Sequence, residues 1–593
     1  MRAEREKTEL KTGKSAEKGL LEKGKNLFGE DEFFRPRSHT VIAVIFGLVN
    51  TAALHLFYRN RLPCFSVRDQ LLFFSQAVVL SFLFMLAAKV VIRHLEKIGA
   101  SFDGCPSGGG KLASWYDRHV GQGAFLIILL GWLPWIISYY PASMDYDVYD
   151  SIMKQLGMQP PSDHHPWFYV WVIGKAYRVG VSLGDKNIGI FLYTLVRAIF
   201  MAAIYARCAY LQKKNGAPRA LYTVTILFFA VTPVWGAYAK HAFKDSIGAA
   251  LFCWFILTLI EIILQICDGR PRRLSCLEYS AAALLAALFR HNMSYVIVPV
   301  TLVLFILMIT RKYPAWYSVL LVLGVLLFQV YEGYIFTVLE IPHGNAREAL
   351  SIPFQQTART AVFHGEEFTE EEKTVLQAYF PGDALLNYDP IISDPVKNNN
   401  SQEYWTMGDY LPYLETWARM LFRFPYTYLE AFIAHSSGYY AFIPDYSEEV
   451  RFGPGNYTNV GMTVFSGIKH SEFPEWLQCS YREGTEGARR VMDNWVRIWH
   501  RIPILNLTDS KPLYTWVIIL MGWLFVRRKE YYKLLPIFAC LLMVLTCVAS
   551  PVNDCFRYFA PVAAAFPGLL ILLKPNPENG GIKEEEKCHT MII

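Results

Sequence analysis

Residues 246–266, SIGAALFCWFILTLIEIILQI, decide the class of fold to which this chain belongs. The stretch has 21 residues and a single charged side chain, Glu261. A helix needs about 20 mostly apolar residues to cross the hydrocarbon of a bilayer. The stretch therefore predicts a transmembrane helix, and apolar blocks of similar character recur along the chain.

The composition of the whole chain agrees with a membrane protein. Its 593 residues are 53% hydrophobic and 18% charged, and the mean hydropathy is +0.23. Soluble domains carry about 25% charged residues. The composition therefore argues against an ordinary cytosolic enzyme and excludes disorder over most of the chain. The 11 cysteines form no CxxC pair, so neither a disulfide framework nor a zinc knuckle is predicted.

Twelve apolar blocks follow a charged N-terminal segment. We therefore predict an all-α polytopic membrane protein with about 12 transmembrane helices, one for each block. The blocks lie at residues 40–58, 71–94, 121–140, 188–211, 220–238, 246–266, 277–289, 293–310, 315–338, 512–526, 534–550 and 557–574.

The basic loops predict the orientation, because loops rich in Lys and Arg stay in the cytoplasm. With twelve crossings, the basic loops after the fourth, sixth, eighth and tenth blocks fall on the side of the N-terminus. We therefore expect both termini in the cytoplasm and the segments 141–187 and 339–510 outside. Arg59, Arg61 and Arg68 run against this rule, since they follow the first block.

The blocks and loops divide the chain into five predicted regions. They are a cytoplasmic tail (1–39), an N-terminal transmembrane region (40–338), an extracytoplasmic or interfacial segment (339–510), C-terminal transmembrane helices (511–574) and a second cytoplasmic tail (575–593). Within the third region, aromatic and arginine side chains intermingle over 412–444, which is typical of a helix pair in the membrane interface. A further pair of crossings is the alternative, which the cost of charges in hydrocarbon disfavours.

Two carboxylates, Asp145 and Asp147, come soon after the third block, in the sequence YYPASMDYD of residues 139–147. A carboxylate at the edge of the hydrocarbon is partly desolvated, and its pKa can then be tuned for general base catalysis. Both residues are therefore candidate catalytic bases. The structural alternative is a helix cap, because Asp is a common cap residue.

Adjacent histidines, His164 and His165, lie in the same outer segment. Imidazoles bind metal ions together with carboxylates, and they also hydrogen-bond phosphates and sugars. Substrate contact is the favoured function, since neighbouring residues of a regular element do not project to one side. The structural alternative is a polar loop before an aromatic helix.

Several basic groups are expected along the same outer rim. Lys240 and Lys244 occupy a short outer loop against the positive-inside trend, Arg290 interrupts an apolar region next to Asn292, and Arg557 begins the last block. Together they predict binding of an anion such as a lipid phosphate. Snorkelling side chains and a tight polar turn at Arg290 are the structural alternatives.

Other common chemistries have no motif in this chain. Walker A, GxSxG and HExxH patterns are all absent from the sequence. Nucleotide hydrolysis is therefore not predicted. Binding to nucleic acid is not predicted either, because the basic residues are divided among membrane loops.

A series of short motifs carries a resemblance to known families. The motifs are Tyr140-Pro141 with Asp147, His164-His165-Pro166, Lys244-Asp245, Arg290 with Asn292, Ile352-Pro353-Phe354-Gln355-Gln356 with Ala358-Arg359, Trp417 through Tyr440, and Ser550 through Tyr558. Their order is similar to that of the bacterial DUF6020 family, and the layout of helices and outer segments resembles the GT-C superfamily of glycosyltransferases. Ala142 departs from the pattern, where a glycine is expected, and the presence of both Asp145 and Asp147 leaves the base open.

The resemblance implies sugar transfer at the outer face of a bacterial cytoplasmic membrane. It implies a polyprenyl-phosphate-type lipid donor, an extracytoplasmic acceptor, a loop carboxylate as base (Asp147 before Asp145) and outer Lys and Arg groups for the donor phosphate. Gln355 and Arg359 are expected substrate contacts only because they match the family motifs. Some GT-C enzymes use a divalent cation, and the paired histidines leave that requirement open.

Two other functions compete with glycosyl transfer. A transporter or flippase for a lipid-linked or anionic substrate would also have membrane helices broken by Arg290 and by prolines, although the sequence has no internal repeat. A non-catalytic partner in envelope biosynthesis is the third hypothesis, in which the same motifs would form protein interfaces.

Overall fold

The computed structural model describes residues 38–63, 66–103, 110–342, 344, 346–400, 406–443, 468–469 and 471–575. Over these residues the chain is helical, with isolated β-bridges in place of strands. The predicted all-α membrane fold is confirmed at this level. The predicted tails at 1–39 and 575–593 lie almost wholly outside the described residues.

The helices are numbered here in chain order. They are α1 (Ser38–Arg59), α2 (Val67–Ala100), α3 (Lys111–Arg118), α4 (Val120–Ser138), α5 (Tyr146–Gln155), α6 (Trp167–Ser182), α7 (Lys186–Lys214), α8 (Arg219–Val231), α9 (Pro233–Lys240), α10 (Lys244–Cys267), α11 (Arg273–Phe289), α12 (Ser294–Thr310), α13 (Ala315–Val330), α14 (Phe336–Val338), α15 (Ser351–His364), α16 (Glu370–Tyr379), α17 (Asp394–Lys397), α18 (Leu411–Arg423), α19 (Pro425–Ser436), α20 (Glu486–Arg501), α21 (Pro503–Asn506), α22 (Lys511–Arg527), α23 (Leu534–Val548) and α24 (Phe556–Leu569).

Nine helices of the described chain are long and apolar enough to cross a membrane. A tenth span arises if α8 and α9 are counted together, although they meet at an angle of 50°. Pro233 explains this break, because proline lacks the backbone N–H that would continue α8. The two remaining predicted blocks form α11 and α22, each of 17 residues. At 1.5 Å per residue each reaches about 26 Å, short of the roughly 30 Å of hydrocarbon.

The stretch at 246–266 forms most of α10, which is the central helix of the bundle. In its most apolar window 83% of the residues are buried, and it packs against α7, α11 and α24. Gly568 of α24 lies against Leu257 of α10, where an added Cβ would come within 2.8 Å of the leucine side chain. The apolar character of this stretch therefore reflects burial among other helices as well as contact with lipid.

The bundle has two ends that differ in their loops. At the end called here the basic end, Arg219 pairs with Asp117 at 2.6 Å and Arg273 lies over the ring of Trp316. The opposite end, called here the site end, carries Asp145, Asp147 and the described parts of the segment 339–510. The loop after α1 is also at the site end, because Arg61 lies 4.4 Å from the ring centre of Phe363 in α15.

The segment after α14 builds a smaller core of its own at the site end. Phe354 of α15 packs with Tyr413 of α18 and with Phe380, and Tyr428 of α19 is fully buried in the same cluster. The helices α18 and α19 have 13 and 12 residues. Each spans about 20 Å or less, so neither crosses the hydrocarbon alone. They form a helix pair within the stretch 412–444, and its place in the membrane interface stays a prediction.

Candidate active site

Asp145 and Asp147 are positioned by the start of α5. Asp145 is the cap residue of this helix, since its carboxylate accepts a hydrogen bond from the Val148 N–H at 3.1 Å. Asp147 follows in the first turn. Both carboxylates therefore lie where the free N–H groups and the helix dipole favour negative charge. The predicted helix cap is therefore confirmed for Asp145, whereas a catalytic role of either carboxylate stays a prediction.

Asp147 is the centre of an ion cluster that joins three distant parts of the chain. Its Oδ2 atom lies 3.1 Å from Lys244 Nζ and accepts a hydrogen bond from Arg557. His165 Nε2 lies 3.8 Å from its other oxygen. The Asp147 side chain keeps 25% of its surface exposed, so a ligand in solution can reach it. The structure thus brings together four of the residues selected from the sequence.

A second carboxylate, Asp245, binds the other side of the same arginine. Arg557 Nε donates to Asp245 Oδ2 at 2.5 Å, and Arg290 lies 2.6 Å from Asp245 Oδ1. Arg290 also donates to the Asn292 side chain at 2.9 Å. Asp245 is 1% exposed, so this pairing is shielded from solvent. Asp245 therefore fixes both arginines in place at the site end.

The two neighbouring carboxylates of α5 have opposite pKa shifts. Burial, and next the negative charge of Asp147, raise the pKa of Asp145 to about 7. Burial would also raise the pKa of Asp147, but Lys244 and Arg557 outweigh it and hold that pKa well below its ordinary value. Two carboxyls with separated pKa values are typical of acid–base sites. At neutral pH Asp147 is therefore ionised, whereas Asp145 is present in both its protonated and its ionised form.

His165 connects the ion cluster to a second pair of charges. Lys244 Nζ lies 3.0 Å from His165 Nδ1, and His165 Nε2 lies 3.5 Å from Asp150, which binds Lys154 at 2.6 Å. Burial, and next the charge of Lys244, lower the pKa of His165 well below its ordinary value. The imidazole is therefore neutral. Its Nδ1 accepts from Lys244, which leaves the ring proton on Nε2, facing the carboxylates.

Other predicted site residues have different neighbours. Lys240 is buried against Ser143 Oγ at 2.9 Å and the ring of Tyr139 at 3.6 Å. Gln355 donates to the Asp389 carbonyl at 2.7 Å and contacts His435 at 3.2 Å. These are contacts between segments of the chain, and they support the loops around the ion cluster.

His164 lies beside the ion cluster, whereas Arg359 lies apart from it. The ring centre of His164 is 4.7 Å from that of His165, and burial lowers its pKa. Arg359 is fully buried and binds Glu430 at 2.9 Å and the Asn60 side chain at 2.9 Å. Arg359 thus joins α15 to α19 and to the loop after α1.

Two of the sequence motifs, Trp417 through Tyr440 and Ser550 through Tyr558, pack against each other. The Asn553 side chain accepts from the Gly438 N–H at 2.8 Å and donates to the Ala434 carbonyl at 2.7 Å. A Cβ on Gly438 would come within 2.4 Å of Asp554. The two motifs thus form one tightly packed unit, which fixes the chain just before Arg557.

Three residues of the cluster were not selected from the sequence. In the sequence Asp245 stands out only as part of the Lys244-Asp245 motif, and Asp150 and Lys154 belong to no motif. Their spacing of four residues on α5 is a signal for an ion pair. The role of Asp245 has no local signal, because its partner Arg557 is 312 residues away.

A divalent cation does not fit this arrangement of side chains. Over the described residues, no group of three His, Cys, Asp or Glu side chains is placed to hold a metal ion. The oxygens of Asp147 and Asp245 face Lys244, Arg290 and Arg557 instead. These carboxylates are therefore paired with cations of the protein, and use of a divalent metal ion rests on the family resemblance alone.

Comparison with known proteins gives one result. No curated protein and no solved structure matches the chain. A model of one protein family, described as a family of unknown function, matches residues 161–587. This range includes His165, Lys244, Arg290 and Arg557, and it begins after Asp145 and Asp147. Because the match covers most of the sequence, the chain belongs to the DUF6020 family.

Proposed function

We propose that this chain is a GT-C-type membrane glycosyltransferase that moves a sugar from a polyprenyl-phosphate-type lipid to an extracytoplasmic acceptor. The observation that supports this most is that Asp145 and Asp147 both face Arg557, with Lys244 completing the group. In this proposal the site end faces outward from a bacterial cytoplasmic membrane, and both termini are cytoplasmic. Carboxylates for proton transfer and cations for phosphate then share one rim.

The proposed base is Asp145, with Asp147 in a supporting role. A general base works best when its pKa lies near the working pH, and the pKa of Asp145 is raised to about 7. Asp147 has a much lower pKa and is held by two cations. This reverses the order that the family resemblance implies, because the sequence could not separate the environments of the two carboxylates.

The proposed phosphate ligands are Lys244 and Arg557. With Asp145, Asp147 and Asp245 ionised, their charges balance those of Lys244, Arg290 and Arg557. A lipid-phosphate-linked sugar carries one negative charge at its phosphodiester. We propose that its phosphate shares Lys244 and Arg557 with Asp147, while Asp245 keeps the arginines in place.

The proposed step moves one proton and one sugar. The acceptor hydroxyl oxygen attacks the anomeric carbon, and its proton passes to the Asp145 carboxylate. The bond between that carbon and the phosphate oxygen breaks, and its electron pair stays on the oxygen. The leaving lipid phosphate gains a negative charge, which Lys244 and Arg557 stabilise, and fixed cations of this kind can supply several kcal/mol.

Detection of a covalent product tests this proposal. Membranes that contain the protein are incubated with a panel of labelled hexoses and pentoses on short polyprenyl phosphates, and products are analysed by mass spectrometry. We expect transfer from at least one donor and a raised KM for that donor in Arg557→Lys. Arg270→Lys, on the exposed loop at the basic end, is the matched control and should keep the wild-type KM. Absence of any covalent product from properly inserted protein contradicts the proposal.

A transporter or flippase is the second candidate, because of two features of the membrane helices. The bent pair α8 and α9 forms a broken span, and Arg207 is paired with Glu261 and Glu278 between α7, α10 and α11. Broken helices and charges in the membrane are typical of transporters. Substrate flux into proteoliposomes without a covalent product would favour this function.

A further inference from the structure

Arg197 is a buried cation in the interior of the bundle, behind the loop that carries Lys244. It lies eleven residues after Lys186, the first residue of α7, and is 4% exposed. Its Nη2 atom donates to the Ala239 carbonyl at 2.9 Å, in the last turn of α9. Over the described residues, Arg197 forms no ion pair, and its Nε and Nη1 atoms have no hydrogen-bond acceptor.

This arrangement is unusual because arginine stays protonated in proteins. Removing an unpaired charge from water carries a large free-energy penalty, which is normally offset by an opposite charge. The Ala239 carbonyl offsets part of it, since a helix C-terminus has partial negative charge. One carbonyl leaves two of the three guanidinium nitrogens without a partner.

Three side-chain hydroxyls near Arg197 on α7 also have no hydrogen-bond partner within the described residues, and the imidazole of His241 is a further buried neighbour. The hydroxyls of Tyr193, Thr194 and Tyr205 are buried, and each makes no hydrogen bond within the described residues. Tyr193 and Tyr205 lie close enough to Arg197 to interact with its charge, and the Tyr193 ring centre is 5.8 Å from the guanidinium carbon. Thr194 lies one turn before Arg197 on the same buried face of α7. These side chains therefore offer several hydrogen-bond donors beside one buried positive charge.

Neighbouring charged groups do not balance this charge. Lys240, next to Ala239, is a basic group that supplies no negative charge, and it donates to Ser143. The Tyr169 hydroxyl donates to the Ala242 carbonyl. The nearest ion cluster, around Asp147, has its carboxylates bound to Lys244, Arg290 and Arg557. Within the described residues, Arg197 therefore has no counter-ion.

We propose that Arg197 and the hydroxyls of Tyr193, Thr194 and Tyr205 form a buried site for a small monovalent anion such as chloride. An anion only accepts hydrogen bonds, so it suits a site whose side chains offer N–H and O–H donors. Water would satisfy hydrogen bonds but would leave the charge of Arg197 uncompensated. The bound anion stabilises the contact between α7 and the end of α9, directly before the loop that carries Lys244.

The dependence of thermal stability on chloride tests this site. The purified full-length protein is transferred to gluconate, which is too large for a buried site, and chloride is added back at constant ionic strength. A ligand that binds only the folded state raises the Tm as its concentration rises. We expect the wild-type Tm to rise by several degrees with chloride and the Tm of Arg197→Met to show no chloride dependence.

Arg207→Met is the matched control, because Arg207 lies on the same helix, about 15 Å further along. Arg207 has carboxylate partners, Glu261 and Glu278. Its replacement should lower the Tm at every chloride concentration and keep the chloride-dependent rise. If that rise is lost in Arg207→Met as well, the effect is a general effect of charge and the site is wrongly assigned.

Bromide provides a second measurement that needs no variant. Crystals of the wild-type protein grown in bromide should show an anomalous peak in contact with the Arg197 guanidinium. A wild-type Tm that is independent of chloride, or an anomalous map with no peak at Arg197, overturns the proposal. A chloride-dependent Tm that persists in Arg197→Met also overturns it, because the anion would then bind elsewhere.

Discussion

Arg557 forms an ion pair with Asp147, which lies 410 residues earlier in the chain. The same guanidinium binds Asp245 and lies 3.7 Å from Asp145. One arginine at the start of the last helix therefore contacts three carboxylates from two other segments. Its positive charge, together with that of Lys244, favours the ionised forms of Asp145 and Asp147.

The first prediction concerns the pH dependence of transfer. Only the ionised form of Asp145 accepts a proton, and its pKa is raised to about 7. Transfer should therefore fall as the pH drops through about 7 and reach a plateau above it. Initial rates measured over the range of about pH 5 to 9 at saturating donor give this profile. A rate that stays constant across that range contradicts the assignment of Asp145 as base.

The second prediction concerns Asp147→Asn, which changes the environment of Asp145. Burial is the main reason for the raised pKa of Asp145, and the charge of Asp147 is the next. Removing that charge lowers the pKa of Asp145. The pH at which the remaining transfer activity falls from its plateau should therefore move to a lower value. The pH profile of Asp147→Asn against that of the wild type measures this shift. A shift to higher pH would show that the two carboxylates do not interact as described.

The third prediction concerns the buried carboxylate that binds two arginines. Asp245→Asn leaves Arg290 and Arg557 without their shared partner, and breaking a buried ion pair costs about 3–5 kcal/mol. Thermal unfolding in detergent should show a large loss of Tm. Asp69→Asn is the matched control, because the Arg59–Asp69 pair at the same end is exposed and such pairs contribute about 0–1 kcal/mol. Equal losses in both variants would contradict this role of Asp245.

The fourth prediction separates Arg359 from the donor phosphate. Glu430→Gln weakens the buried contact that holds α15, α19 and the loop after α1 together, so the Tm should fall. The KM for the donor should stay at its wild-type value below the unfolding temperature. Kinetics and unfolding curves of Glu430→Gln and of the control Arg419→Met, which removes an exposed ion pair, check this. A raised KM in Glu430→Gln would instead indicate that the Arg359 pair acts on the donor.

Much of the site could be predicted from the sequence because its charges stand out against apolar surroundings. A cation at the end of a membrane helix, such as Lys244 or Arg557, has few structural reasons to be there. Their convergence on Asp147 agrees with the predicted common rim. Arg359 has the same local appearance, yet its partners are Glu430 and Asn60. A contact between distant segments leaves no spacing pattern by which sequence analysis could tell the two cases apart.

The number of membrane spans shows a different limit of sequence analysis. All twelve apolar blocks became helices, but α11 and α22 have only 17 residues each. α11 nevertheless runs from Arg273 at the basic end up to Arg290 at the site end, so a threshold on helix length does not decide which apolar helices are spans. The break between α8 and α9 had a local signal in Pro233. Arg197 is visible in the sequence as a charge inside the apolar block 188–211, but its lack of an ion-pair partner is not.

The most direct test of the central claim is the turnover of labelled sugar by Asp145→Asn and Asp147→Asn in membranes. Asp103→Asn, which changes an exposed carboxylate paired with Lys574 at the basic end, is the control for expression and insertion. If Asp145 is the base, kcat of Asp145→Asn should fall by about 10²–10⁴-fold, and Asp103→Asn should keep wild-type turnover. Full transfer by both Asp145→Asn and Asp147→Asn, correctly inserted, would contradict a catalytic role for these carboxylates.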